Sequence, residues 1–352
     1  MQMLSTFLPN SLTDREVVEL VLDGGLNMAM FRLPGQAHAS LYICRETRSV
    51  SPGGIASGFL FAPFNNKEIR VVTPEYVRAL DIPVPKPRAF RAAEAAPMPE
   101  DYGRRIGTLV NRLAERGGKT VFAVRRELTA DLDIYDTFMS LANAYPEAFV
   151  FCWKTAESPE VWAGATPEIL AACKDGEFVT MALAGTRRAD SDDTPWDLKN
   201  REEQRMVCDF ILDVCSKAGL DPLCEPTYTH KAGPVEHICN LIKVRMPEDA
   251  DPLRLACELA PTPAVSGFPR HAALADIAEL EGFPREYYAG WCGVASEGEC
   301  DLYVTLRCMS IYPKLHSCRL YAGGGITARS YAPDEWAEVN AKMQTLFNAI
   351  DY

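Results

Sequence analysis

Several signatures that would reveal the function of a 352-residue chain at once are missing here. No apolar stretch reaches 18 residues, and Met1-Gln-Met-Leu-Ser-Thr6 lacks the charged opening of a signal peptide. A soluble, cytoplasmic protein without a membrane partner is therefore expected. Basic runs are also absent, and with a formal net charge of −12 this argues against nucleic acid or an anionic surface as partner. The twelve cysteines form no C-x-x-C pair. Several lie in apolar runs such as Phe149-Val-Phe-Cys152 and Met206-Val-Cys208, so they read as small buried hydrophobes in a reducing compartment, neither zinc ligands nor a disulfide framework. Gly323-Gly-Gly325 matches neither the dinucleotide fingerprint nor the P-loop. Heptads and repeats of 20 to 50 residues are lacking, which excludes coiled coils and solenoids.

What is present is enough apolar material, 47% of residues, for a sizeable core. Residues 1 to about 100 alternate short apolar runs with Gly/Pro turns and end in an Ala/Pro/Glu-rich connector from Ala92 to Tyr102, without recognisable chemistry. A helix is expected from Tyr102 to Gly117, then a strand Lys119–Arg125, a strand pair around Ser158-Pro159, and Glu168 entering a strand after a Pro167 bend. A polar loop at Asp190–Thr194 precedes a helix starting at Thr194-Pro195, with a core stripe of Val207, Phe210 and Val214 headed by Glu203. Gly233 to Val244 reads as a strand, Ala260–Pro269 as an ordered loop and His271–Gly282 as a helix. Tyr287–Gly293 and Leu302–Ser310 read as a hairpin closed at Glu297-Gly298-Glu299. The last helix begins at Pro333 and buries Trp336, Val339, Met343, Leu346, Phe347 and Ile350. Helices and strands mix without regular alternation, so the fold class is α+β, taken as one domain over residues 1–352 with the motif-bearing part at 101–352.

Some charged residues fall where burial would change their chemistry. Lys119 heads an apolar strand, and desolvation would make it a general base. Glu168, held against apolar walls, would become a proton donor. Glu203 at the head of a buried stripe requires a cation or metal partner. On the last helix Glu335, Glu338 and Lys342 share one flank of the apolar stripe, which alone would be read as a solvated pair. Arg307 closes one face of a strand and could hold a carboxylate.

Five stretches taken in order resemble the chorismate-utilising enzymes, most of all isochorismate synthases. They are Lys119-Thr-Val-Phe-Ala-Val-Arg125, Gly164-Ala-Thr-Pro-Glu168, Ala184-Gly-Thr-Arg187, Lys199-Asn-Arg-Glu-Glu203, and Ala322-Gly-Gly-Gly-Ile326 with Glu335-Trp-Ala-Glu338-Val-Asn-Ala-Lys342. Pro261-Thr-Pro-Ala-Val-Ser-Gly267 and Tyr288-Ala-Gly290 fit the same family. The resemblance implies large, mainly antiparallel sheets forming a sandwich-like core with helices outside. It implies Lys119 as the base activating water for attack at C2 of chorismate, and Glu168 as the acid that protonates the departing C4 hydroxyl. Glu203 and Glu338 would bind Mg²⁺, with Glu335 in or near that shell. Arg307, Tyr288 and Lys342, with backbone around Gly323, would hold the enolpyruvyl carboxylate, and Ala184 would leave room for water.

Within the family, Ala184 stands where aminodeoxychorismate synthases carry a lysine, and Asp209-Phe-Ile-Leu-Asp213 departs from the run usual in anthranilate synthases. No obligatory glutamine amidotransferase is therefore expected, and the protein is taken as a monomer or homodimer serving menaquinone or siderophore synthesis. A salicylate synthase is the alternative reading, and a catalytically silent relative that binds a small acid is the competing class. Asn200 replaces a common acidic residue, which would retune Mg²⁺ binding. Ala260 and Gly324 are the other departures.

Overall fold

The computed structural model describes residues 11–51, 54, 56–82, 96–189, 194–232, 235–348 and 350. Ala92–Ala95 of the expected connector, Asp190–Asp193 of the expected polar loop and Gly233-Pro234 lie outside them. Two large sheets dominate the molecule, and every strand pairing is antiparallel. The first runs from edge to edge through Gly267–Phe268, Lys119–Thr129, Ser317–Ile326, Cys308–Tyr312, Val161–Thr166, Phe149–Lys154, Asn27–Arg32, His38–Cys44 and Tyr76–Asp81. The second runs through Leu223–Cys224, Val235–Arg245, Glu177–Arg188, Ile169–Lys174, Glu299–Val304, Trp291–Ser296, Gly58–Ala62, Ile69–Val72 and Arg48–Val50, with Tyr228–Ala232 also paired to Val235–Arg245. Strands from the first hundred residues thus lie in both sheets.

The facing sides of the sheets share one apolar core. Phe31, Phe149 and Trp153 of the first sheet meet Phe59, Phe61 and Tyr303 of the second; Phe149 stacks on Tyr303 at 4.3 Å and Phe61 on Trp153 at 5.2 Å. Each fully buried aromatic stabilises the sandwich by about 1.5–3 kcal/mol. Helices Asp14–Asp23, Ile134–Ala144 and Ala332–Phe347 cover the outer face of the first sheet. Helix Glu100–Arg116 packs on Phe122 and Ile326 of that sheet, with Tyr102 4.9 Å from Trp336 of the last helix. Helices Leu198–Lys217 and Pro252–Leu259 cover the second sheet. This is the α+β sandwich with outer helices.

Several local expectations are corrected. The chain from Leu302 to Ser310 is two strands, because Thr305, Leu306 and Arg307 leave the second sheet and Cys308 enters the first. Arg307 takes a positive φ of 46° at that crossing. Tyr287–Gly290 is a turn whose Ala289 N–H donates to the Thr305 carbonyl, and the strand begins only at Trp291. The helix expected from Thr194 begins at Leu198, since the Asp197 carboxylate caps it by accepting from the Asn200 N–H. Its buried stripe is Glu203, Val207, Ile211 and Cys215, an i, i+4 row, while Phe210 and Val214 are half-buried. Ten of the twelve cysteines are buried; Cys208 and Cys224 are the two that are not.

Candidate active site

A second crossing lies beside the first. Val161–Thr166 belongs to the first sheet and Ile169–Lys174 to the second, with Pro167-Glu168 between them. The two crossings hydrogen-bond to each other: Ala165 N–H donates to the Arg307 carbonyl at 3.2 Å and Val304 N–H to the Glu168 carbonyl at 3.0 Å. The Thr166 hydroxyl adds a bond to the Val304 carbonyl at 2.7 Å. Changing sheets twice at one place sets a glutamate and an arginine side by side in one cleft.

Lys119, Glu168, Ala184, Glu203, Tyr288, Arg307, Gly323, Glu338 and Lys342 all line this cleft. Residues more than two hundred positions apart in sequence therefore share one wall. Of the residues singled out from sequence, Glu335 alone is not in the lining; it sits buried behind Gly324.

Lys119 is only 1% exposed although it opens a strand. Phe268 pairs across it, and Gly118 makes that approach possible: a Cβ there would lie 2.0 Å from the Phe268 carbonyl oxygen. Burial lowers the pKa of its amine, Glu203 opposes that shift, and Lys342 reinforces it. Glu203 Oε2 stands 3.7 Å from Lys119 Nζ. Glu168 is shifted the other way. Burial pushes its carboxyl up to about 8, against the pull of Lys119, Lys342 and Arg307, and its Oε1 has no hydrogen-bond partner. The cleft thus holds an amine moved toward neutrality and a carboxylic acid that keeps its proton at pH 7, the separation of roles that acid–base chemistry needs.

The other carboxylates gather at the glycine strand. Gly325 is required there, since a Cβ would fall 2.2 Å from Glu203 Oε2. Lys342 Nζ donates to Glu338 Oε1 at 2.6 Å and to the Gly323 carbonyl at 2.8 Å. Lys199 Nζ donates to Glu335 Oε1 at 2.5 Å and stands 3.7 Å from Glu203 Oε1. Burial raises the pKa of both Glu203 and Glu335, with nearby lysines pulling down. For Glu338 burial also works upward, but Lys342 prevails and its pKa is lowered. Glu335 Oε2 is buried without a partner of hydrogen-bond geometry.

Sequence reasoning missed His237 as a site residue and gave no role to Lys199. The His237 ring lines the cleft with Nδ1 3.0 Å from the Gly185 carbonyl and Nε2 3.2 Å from Arg307 Nη2. Burial, Arg307 and Lys342 push its pKa well down, so it is neutral; Nδ1–H donates to the carbonyl and Nε2 accepts from the guanidinium. Arg307 Nη1 donates to the Thr345 hydroxyl at 2.9 Å, so both ends of the fork are fixed. Only strand register, with Thr186 opposite His237 and a bulge at Gly185, brings the imidazole here. Spacing along the sequence carries no sign of it.

A family model described as chorismate binding enzyme matches residues 77–351, which include every side chain that lines the cleft. The chain belongs to the chorismate-binding enzymes. A Mycobacterium tuberculosis protein with the provisional name isochorismate synthase MenF is 33% identical over 297 residues, covering 76% of this chain and 77% of that protein. The Escherichia coli isochorismate synthase EntC is 36% identical over 209 residues, 53% of this chain and 50% of EntC. The solved structure of MenF, the menaquinone-specific isochorismate synthase from E. coli, superposes with a TM-score of 0.78 at 19% identity, covering 98% of this chain and 92% of that one. For a family member, the double sheet crossing and the glycine strand explain how distant motifs converge: each motif lies on a strand, a helix or a turn that borders one cleft.

Proposed function

We propose that this family member is an isochorismate synthase, isomerising chorismate with Mg²⁺ and feeding menaquinone or a catechol siderophore. The observation that carries the reading is the opposed pair: a desolvated Lys119 amine and a Glu168 acid protonated up to about pH 8, both facing the same cleft. Lys119 removes the proton from a water attacking C2, and Glu168 gives its proton to the hydroxyl leaving C4 while the ring double bonds shift. One water enters and one leaves, so the reaction is an isomerisation. Each proton transfer is worth about 10²–10⁴ in rate. Ala184 contributes no nucleophile, which keeps the cleft open to water. Arg307, braced by His237 and Thr345, and Lys342, anchored to the Gly323 carbonyl, bind the enolpyruvyl carboxylate beside Tyr288.

The residues present suit Mg²⁺. Glu203, Glu335 and Glu338 offer hard carboxylate oxygens, Glu335 Oε2 is buried without a partner, and Gly325 leaves Glu203 the space it occupies. Among the described residues no three His, Cys or acidic side chains are grouped to hold a metal ion, so the proposed site rests on two carboxylates, with waters and substrate oxygen to complete the shell. Glu203 and Glu338 would hold it, with Glu335 behind. When bound, the ion supplies positive charge for the ring carboxylate. We further propose that residues 1–352 work as one catalytic domain in the cytoplasm without a glutamine amidotransferase.

Incubation with chorismate and Mg²⁺, followed by chromatographic product analysis, tests the reading. Isochorismate in reversible equilibrium with chorismate is expected. Salicylate plus pyruvate would make the protein a salicylate synthase, and chorismate bound but not consumed would make it a silent binder. Glu338→Ala should abolish the Mg²⁺-dependent activity with an unchanged circular dichroism spectrum; retained turnover would remove Glu338 from the ligand set.

A further inference from the structure

Three lysine side chains reach the carboxylates of the cleft, and they are not equivalent. Lys119 and Lys342 line the cavity. Lys199 does not; its Nζ lies behind the wall, 2.5 Å from Glu335 Oε1 and 3.7 Å from Glu203 Oε1. It projects from the first turn of helix Leu198–Lys217, four residues before Glu203 and so on the same face. Both ion-pair partners of Lys199 are therefore carboxylates that the proposed cation would use, and neither is a group that meets substrate.

The charges around it nearly balance. Glu203, Glu335 and Glu338 carry three negative charges against the two positive charges of Lys199 and Lys342, with Lys119 the desolvated amine that acts as base. Asn200, next to Lys199, adds none; its Oδ1 accepts from the Thr186 N–H at 2.9 Å and its Nδ2 donates to Asp197. A divalent ion entering this group, which holds one net negative charge, leaves an excess of one positive charge unless an ammonium withdraws or an anion arrives with it. Lys199 is the group placed to withdraw. It uses one oxygen of Glu335 and leaves Oε2 unpartnered, and its side chain is 24% exposed, so solvent is within reach of its ammonium.

We propose that Lys199 is a built-in counter-ion that occupies the carboxylate cluster in the cation-free protein and must release Glu335 for a divalent ion to bind. This rests on the reading of Glu203, Glu335 and Glu338 as a cation site. Binding of the ion alone is then held weak, because it exchanges one cation for another, while an anionic substrate supplies the opposing charge that favours the ion.

Isothermal titration of the full-length protein with MgCl₂, with and without chorismate, separates the two ideas. The wild type should bind Mg²⁺ weakly alone and more tightly with chorismate; no binding in either case would overturn the cation site itself. Lys199→Gln should bind Mg²⁺ alone at least tenfold more tightly than the wild type. In chelator its thermal midpoint should fall below that of the wild type, and Mg²⁺ should restore it. Wild-type binding that is unchanged or weakened in Lys199→Gln would overturn the counter-ion role and leave the cation site standing. If that variant does not fold, Lys199→Arg gives the opposite reading: a fork on Glu335 that withdraws less readily should weaken Mg²⁺ binding, and an unchanged or tighter affinity would equally refute the proposal.

Discussion

Two groups of buried charge lie within a few residues of each other on the Lys119 strand, and they are built on opposite plans. Behind the strand, Glu281 and Arg285 form an ion pair whose side chains are only 1% and 2% exposed. Every polar atom of it is used. Arg285 Nε donates to Glu281 Oε2 at 2.8 Å, Nη1 to the Val265 carbonyl at 2.7 Å and Nη2 to the Val121 carbonyl at 2.8 Å, while Glu281 Oε1 accepts from the Ala123 N–H. The guanidinium also lies 4.3 Å over the Phe64 ring. In front of the strand, Glu168 Oε1 and Glu335 Oε2 are buried and unpartnered, and Lys119 meets Glu203 only at 3.7 Å. Burial of charge is common to both. What differs is satisfaction: the clamp has spent its hydrogen bonds on backbone and fixes the strand, whereas the cleft keeps donors and acceptors in reserve for something that binds there.

The largest test of that contrast is to disarm the cleft. Lys119→Met and Glu168→Gln should each lower kcat by about 10²–10⁴ while far-UV circular dichroism stays unchanged. A variant that keeps more than a tenth of wild-type turnover would remove that residue from the chemistry. The mirror experiment is Arg285→Met, which strands Glu281 without a partner. Its expected effect is a loss of about 3–5 kcal/mol in urea unfolding, with the pH profile of the surviving folded enzyme unshifted; a loss under 1 kcal/mol would show that the clamp is not structural.

The pH dependence follows from Glu168 and has a definite sign. Its folded-state pKa is raised, to about 8, so the folded chain holds this proton through a range where the unfolded chain has lost it. Its contribution to stability is full below the ordinary carboxylate range, falls by about 1.4 kcal/mol per pH unit on the way to 8, and is constant beyond. Glu168→Gln should flatten that slope in denaturation curves recorded across the window. As an essential acid, Glu168 should also make kcat/KM of the wild type fall about tenfold per pH unit above 8. An alkaline limb that begins at the same pH in Glu168→Asn as in the wild type, on whatever residual activity remains, would assign it to another group. The smallest effect concerns Asn200, which the structure shows as a clasp between Thr186 and Asp197. Asn200→Asp sets two carboxylates against each other at the helix start and should cost about 1 kcal/mol, read as a lower thermal midpoint; a raised midpoint would contradict the clasp.

The sequence made the architecture visible wherever one local rule acted alone. Turn residues and apolar runs located most of the strands, and Pro333 with Asp334 and Glu335 marked the last helix, which starts at Ala332. Charged groups heading apolar runs picked out Lys119, Glu168 and Glu203, all of them buried. Legibility failed where two long-range contacts decide the backbone. Leu302–Ser310 has unbroken strand composition, yet Thr305 bonds to the Tyr287–Gly290 turn and the chain changes sheets there. His237 escaped because its role is set by a bulge in the neighbouring strand, and Lys199 because its partner lies 136 residues away on another helix. Helix period alone also could not choose between Phe210 and Ile211 as core; Ile211 is buried, and Phe210 lies half-buried with the Arg270 guanidinium 5.2 Å from its ring.

The most direct test of the opposed Lys119 and Glu168 roles follows oxygen. Chorismate and Mg²⁺ should be turned over in water enriched in ¹⁸O and the product examined by mass spectrometry after a single forward conversion. Isochorismate carrying one ¹⁸O at its C2 hydroxyl is expected, because the oxygen added comes from the water that Lys119 activates and the C4 oxygen leaves with the proton of Glu168. Isochorismate without label would mean that the hydroxyl moves within the substrate, and would contradict those roles.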